Sequence, residues 1–444
     1  MNYAFLEYFR CPEQFVKFQL SDKESNGHAS GYFRFGDDLV CYGKVGAGAS
    51  TTPGGPFPDV LGQVRNEETH CVLPFDPTEI ANNLRHERYV DRAPVPGWKS
   101  VVRKVYYSLR PALPVSIRRH LQKQWLQGWD KKPFPRWPVD LTVDRLFERL
   151  MLLMLHASPQ SRIPFIWFWP EGKSSCSIMT HDVETLAGLN FAGELMDIND
   201  SYGIKSSFQV IPDARYVAST EARSSIEKRG FEVNVHDLKH DGHLFDTHEQ
   251  FVKSAARINE FIHQFGSKGY RSGVLYRNLD WYTEFKFSYD MSVPNVAHLD
   301  PQPGGCCTVM PYFIGDILEL PVTTTQDYSL FHVLQTFSQD LWKDQIARIM
   351  RQHGLVSFIV HPDYLDTIEA KNTYKQLLHH LSTLREEKDL WIGLPRDVDA
   401  WWRQRHQMKL VPDGSGWRIE GAGSDRARVA YAALQNNELT YTFA

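Results

Sequence analysis

From residue 166 onward the chain settles into a strand-then-helix rhythm, and no other feature restricts its fold as much. Short apolar runs at 176–179, 206–211, 231–235, 269–275, 317–322, 355–360 and 390–392 read as strands, most of them separated by helical segments. Strands that alternate with helices build a parallel sheet, and about seven such units imply an open sheet or a closed barrel. The helices carry their own stop and start signals. Asp246-Thr247-His248-Glu249 opens one that stops at Gly266, and Ser338-Gln339-Asp340 opens another that ends near Gly354.

The chain before residue 166 lacks this rhythm. Strand-like runs at 31–35, 38–42 and 70–73 alternate with loops rich in Gly and Pro, and Asp76-Pro77-Thr78-Glu79 reads as a helix start with Asp as the N-cap and Pro at the first helical position. The glycine-rich stretch 45–50 is read as a loop, because Pro53, Gly54, Gly55 and Pro56 follow where a phosphate-binding helix would begin. A basic segment at 117–123 reads as a solvated helix face, and a second helix is expected near 143–156. Beyond the last barrel helix, Asp413-Gly414-Ser415-Gly416 links two short strands, 409–411 and 417–419. The expected organisation is therefore α/β: an N-terminal α+β domain at 1–165, a distorted (β/α) barrel at 166–407 and a small antiparallel β appendage at 408–444.

Charge and composition exclude several function classes. With 49 basic against 53 acidic residues in 444, and no run of like charge five or six long, there is no stripe for nucleic acid. The apolar helix near 146–156 contains Glu148 and Arg149, which argues against a transmembrane segment, and the first residues show no basic stretch leading into an apolar one. A cytoplasmic location is the expectation. The six cysteines have no paired spacing and read as free thiols.

In a barrel of βα units the loops leaving the C-terminal ends of the strands converge on one face, and that face carries the site. The chemically suggestive residues lie at such ends: Asp182 and Glu184 after the first strand, His236 and His240 after the third, Arg271 in the fourth unit and His361 after the 355–360 strand. The i, i+4 spacing of His236 and His240 puts both imidazoles on one face of a helical turn, suited to a shared cation. Two imidazoles and a carboxylate, Glu184, make the ligand set of a hydrolytic zinc site or that of another divalent transition metal. Asp182 is then available as base, Arg271 to hold it ionised, and His361 as the acid that lets an amine leave. Which of Asp182 and Glu184 ligates the cation is open at this stage.

The order Thr180-His181-Asp182-Val183-Glu184, then His236 and His240, then Gly269-Tyr270-Arg271, then Ile359-Val360-His361-Pro362 resembles the polysaccharide deacetylase family, the NodB-homology domain of carbohydrate esterase family 4. The resemblance covers residues 167–402. It implies a distorted (β/α) barrel, a divalent metal, usually zinc, and removal of acetyl groups from sugars. The family's first motif has two adjacent aspartates; here Asp182 falls on the base and Val183 on the ligand, so Glu184 becomes the replacement ligand. The resemblance also implies an aspartate that tunes the acid His361, for which Asp280 and Asp290 are both candidates. The leading expectation is a zinc-dependent deacetylase of an N-acetylated amino sugar or glycan precursor. Hydrolysis of a linear or cyclic amide on the same barrel, or a glycan-binding protein without catalysis, are the alternatives.

Overall fold

The computed structural model describes residues 2–21, 30–45, 49–67, 70–90, 126, 128–157, 161–436 and 438–444. The basic segment at 117–123 and the centre of the glycine-rich stretch, 46–48, lie outside the described residues.

Nine strands form the sheet that carries the site. In chain order they are β1 (Ser175–Val183), β2 (Ser207–Val210), β3 (Glu232–His236), β4 (Gly269–Arg271), β5 (Tyr289–Asp290), β6 (Tyr312–Ile314), β7 (Ile317–Glu319), β8 (Leu355–Ile359) and β9 (Leu390–Ile392). Neighbours follow the order β6-β7-β5-β4-β3-β2-β1-β8, with β9 also on β1. All pairings are parallel except β6 with β7, so the α/β class is as the alternation implies. The sheet curls into a distorted, part-open barrel. Two strands are additional to the sequence reading, β5 and β6, of two and three residues. Elements that short are below any periodic signal.

The gap between β7 and β8 is bridged without a regular ladder. Thr323 Oγ1 donates to the Leu355 carbonyl at 2.7 Å and accepts from the Ser357 N–H at 2.9 Å. The Thr324 N–H and hydroxyl both donate to the Ser357 carbonyl, at 3.2 and 2.7 Å. Threonine hydroxyls thus satisfy backbone groups that a missing strand would leave unpaired.

The helices that pack outside the sheet are α1 (Leu186–Ser201), α2 (Thr220–Lys228), α3 (His248–Phe265), α4 (Asp340–Arg351), α5 (Ile368–Glu387) and α6 (Pro395–Gln407). Four begin with a hydroxyl cap: Thr185, Ser219, Thr247 and Thr367 accept from the N–H groups of Gly188, Ala222, Gln250 and Ala370. In α3 the buried residues Phe251, Ala255, Ile258, Phe261 and Ile262 recur at helical spacing, and Gly266 ends the helix at φ 63°. Each large side chain so buried contributes about 1.5–3 kcal/mol.

The remaining elements pack against the barrel. Helices Tyr3–Phe9, Pro77–Arg85 and Thr142–Ala157 place Phe5, Phe9, Leu84 and Phe147 in a core that continues through Phe165 and Phe168 to Leu318 and Leu355 of the sheet. Strand Arg162–Ile166 pairs with Val429–Gln435, which pairs in turn with Glu438–Phe443. Arg405, fully buried, donates to the carbonyls of Tyr8, Ile166 and Trp167, tying the three regions at one point. All six cysteines are free and buried. Among the described residues no helix is long and apolar enough to cross a membrane.

Candidate active site

The C-terminal end of β1 supplies the centre of the site. Asp182 is the penultimate residue of the strand, and Glu184 follows it immediately before the cap of α1. On β4, which is paired with β3 so that Arg271 stands beside His236, the Arg271 guanidinium donates from Nη1 to Asp182 Oδ1 at 3.1 Å. Both side chains are essentially buried. Burial opposes ionisation of Asp182, but the Arg271 charge, with His236 and His361, outweighs it and holds the carboxyl below the usual carboxylate range.

Glu184, His236 and His240 place their ligand-type atoms within 4.8 Å of one another. Glu184 Oε1 lies 3.1 Å from His240 Nε2 and 3.7 Å from His361 Nε2. Burial raises the Glu184 carboxyl, but His240, His361 and His236 together hold it well below its ordinary value. Burial lowers His236 to about 4, so the ring is neutral at physiological pH. Its Nδ1 lies 3.1 Å from the Arg271 carbonyl, an acceptor that fixes the ring proton on that nitrogen; Nε2 is buried with no protein hydrogen-bond partner.

The helical turn expected from the spacing of the two histidines does not form. His236 is the last residue of β3, and the chain then bends through left-handed backbone at Asp237 (φ 55°) and His240 (φ 53°). The rings still meet, with centroids 4.7 Å apart. The bend is packed against Gly273, where a Cβ would run into the Asp237 and His240 side chains. That is a physical reason for glycine rather than a larger residue at this position.

His361 follows β8. Its Nδ1 is 2.7 Å from Asp327 Oδ1, and its backbone N–H donates to Asp327 Oδ2 at 2.7 Å. Burial would depress the imidazole, but the charge and hydrogen bond of Asp327 raise it to about 9. Asp327 therefore occupies the place for which the sequence offered Asp280 or Asp290, and neither of those meets His361. Asp280 is exposed on the 3-10 turn Leu279–Glu284. Asp290 accepts from Tyr282 and Ser292 and sits beside Glu319 on the paired β7, where burial and Asp290 push Glu319 well up. The signal for Asp327 was its place just past the strand at 317–322, hidden by the run Thr323-Thr324-Thr325-Gln326.

Two further residues hold the loops together. Asp363 accepts from the Glu184 N–H at 3.1 Å and from the Thr185 hydroxyl, linking the loop after β8 to that after β1. Arg215 donates to the His240 carbonyl at 2.6 Å and lies 3.7 Å from Glu184 Oε2. Of the flanking residues, His181 is buried beneath the site with Nδ1 3.0 Å from the Val360 carbonyl, and His243 pairs with Asp246 at the surface.

Asp182, Glu184, His236, His240 and His361 all line one cleft of about 820 Å³ including its open mouth. A parallel α/β barrel with a cation-type ligand set, an arginine-held carboxylate and an aspartate-held imidazole at its strand ends has the parts of a hydrolase. Compared with known proteins, the structure is similar to those of proteins assigned to the polysaccharide deacetylases. One from Mycobacterium smegmatis shares 18% identity over 58% of this chain and 99% of its own, with a TM-score of 0.43. One from Pseudomonas aeruginosa PAO1 shares 11% over 54% of this chain and 94% of its own, TM-score 0.42. Puue allantoinase is similar at 11% over 53% and 92%, TM-score 0.40. No protein-family profile and no curated sequence matches.

Proposed function

We propose that the protein is a metal-dependent hydrolase that removes the acetyl group from an N-acetylated amino sugar or glycan precursor. The observation that carries this reading is the convergence, in one cleft, of the Glu184–His236–His240 set with the Arg271-held Asp182 and the Asp327-held His361. The donor set fits a cation. Two imidazoles and one carboxylate suit zinc or another divalent transition metal, and the buried, unpartnered Nε2 of His236 has its lone pair free for one. A cation held there supplies Lewis-acid chemistry, activating water and polarising an amide carbonyl.

The chain's own groups do the proton work. Asp182, kept ionised by Arg271, takes a proton from the attacking water. His361, kept charged by Asp327, gives a proton to the amine nitrogen as the C–N bond breaks, so that acetate and the free amino sugar leave. The choice of a sugar as substrate rests on the order of motifs in the sequence.

Elemental analysis and acetate release test the reading together. Protein purified without chelator is expected to hold about one zinc or similar ion per chain, lost in both His236→Ala and Glu184→Ala. It should also liberate acetate from N-acetylhexosamine substrates, which a hydrolase of non-sugar amides would not do. Wild-type protein that binds no metal even after zinc is added back would overturn the proposal and favour a glycan-binding role. A further expectation concerns Asp327: changed to Asn, it lowers kcat by about 10–10²-fold with metal content unchanged, because His361 loses the charge that keeps it protonated and oriented.

A further inference from the structure

Part of the cleft wall comes from residues with no place in the chemistry above. Val274 and Leu275, in the loop after β4, line it, and so does Leu126, which precedes the barrel. Both loop residues are left-handed, at φ 60° and 53°. Residues with a Cβ, β-branched valine above all, avoid that region unless their surroundings impose it.

The surroundings here are a chain of hydrogen bonds that leads out of the barrel. Arg277 Nη1 donates to the Leu275 carbonyl at 2.8 Å. The other edge of the same guanidinium is gripped by Glu87: Nε donates to Oε2 at 2.8 Å, and Nη2 donates to Oε1. Both side chains are at most 1% exposed. A guanidinium is a rigid planar fork, so fixing its Nε edge aims Nη1 in one direction, and that direction is Leu275. Glu87 is itself fixed. It sits just after the Pro77–Arg85 helix with φ 56°, and its Oε1 also accepts from the Gly305 N–H at 2.6 Å. At the other end of the loop, the Ser272 N–H donates to Ser292 Oγ at 2.8 Å, and the Ser272 hydroxyl donates to the Tyr276 carbonyl at 2.5 Å.

We propose that Glu87, outside the barrel, is a positioning residue for substrate binding: through Arg277 it sets the left-handed Val274–Leu275 turn that walls the cleft, and the N-terminal region thereby belongs to the substrate site. The identity of the substrate rests on the deacetylase reading; the positioning does not. Two measurements on the full chain keep them apart, each on wild type, Glu87→Gln and Arg277→Lys. Gln keeps the volume but sets an amide N–H against the guanidinium, and Lys cannot reach Glu87 and Leu275 together.

Hydrogen exchange followed by mass spectrometry needs no substrate. Exchange in peptides covering 272–277 is expected to rise about tenfold in both variants, with peptides covering β1, β3 and β8 unchanged. Steady-state kinetics with N,N′-diacetylchitobiose as probe is expected to show KM raised about tenfold and kcat within about threefold, with metal content unaltered. Unchanged exchange at 272–277 overturns the proposal. So does exchange raised equally throughout the barrel, the mark of a residue that only stabilises the fold, or a fall in kcat at constant KM. Should the probe not be turned over by wild type, the exchange result alone decides the positioning, and the failure falls on the deacetylase reading.

Discussion

Asp182→Asn is expected to keep its metal and to lose about 10²–10⁴-fold in the rate of acetate release, the range over which a positioned base accelerates a proton transfer. Asn retains the size and the oxygen that faces Arg271 Nη1, so the packing around the 3.1 Å contact survives. What it lacks is a basic oxygen for the proton of the attacking water. The measurement is kcat beside zinc content, run in parallel with Glu184→Gln. Metal retained in Asp182→Asn and lost in Glu184→Gln assigns the base to Asp182 and the ligand to Glu184. The reverse pattern exchanges their roles and would mean that the spacing of these carboxylates had been assigned backwards.

Arg271→Met is expected to be the most damaging single change outside the ligands. It leaves the Asp182 carboxylate buried without its counter-charge, a loss of about 3–5 kcal/mol when one partner of a buried pair is removed. Activity falls with it, since the base is no longer held ionised. The pH dependence has a definite sign. In wild type the Asp182 carboxyl is depressed, so the pair's contribution is present above the ordinary carboxylate pKa and is lost as pH falls through the depressed one. In the variant the largest lowering charge is gone while burial remains, so the carboxyl moves up from its wild-type position. Its stability deficit is therefore greatest near neutral pH and shrinks as pH falls, first as the variant's carboxyl takes a proton and then, below the depressed wild-type pKa, as the wild type's does. Urea midpoints of the two proteins at pH 7 and pH 4 check this; a deficit independent of pH would place the damage in packing alone.

Local signals account for what could be read without a structure. The helix start at 246–249, the Gly266 stop and the apolar runs that became β1, β3 and β8 are each set by neighbours within a few residues. So was the expectation that polar residues at strand ends would face one another. The structure brings Asp182, Glu184, His236, His240, Arg271 and His361 to one end of the sheet because parallel strands point their C-terminal ends the same way.

Local reasoning failed where it borrowed a geometry. The spacing of His236 and His240 suggests a helical turn, but left-handed Asp237 and His240 take the chain round a bend that packs on Gly273. The sequence offers Asp280 and Asp290 as partners for His361, while Asp327 holds it from 34 residues away. Glu87 and Arg277 are 190 residues apart, and nothing near either one in sequence announces the other. Periodicity and capping are short-range and are written in adjacent residues, so the sequence alone determined the alternating elements, their ends and the residue types available for hydrolysis. Which carboxylate meets which imidazole or guanidinium depends on how distant loops are brought together when the sheet curls and its apolar faces are buried, and only the tertiary structure decided that.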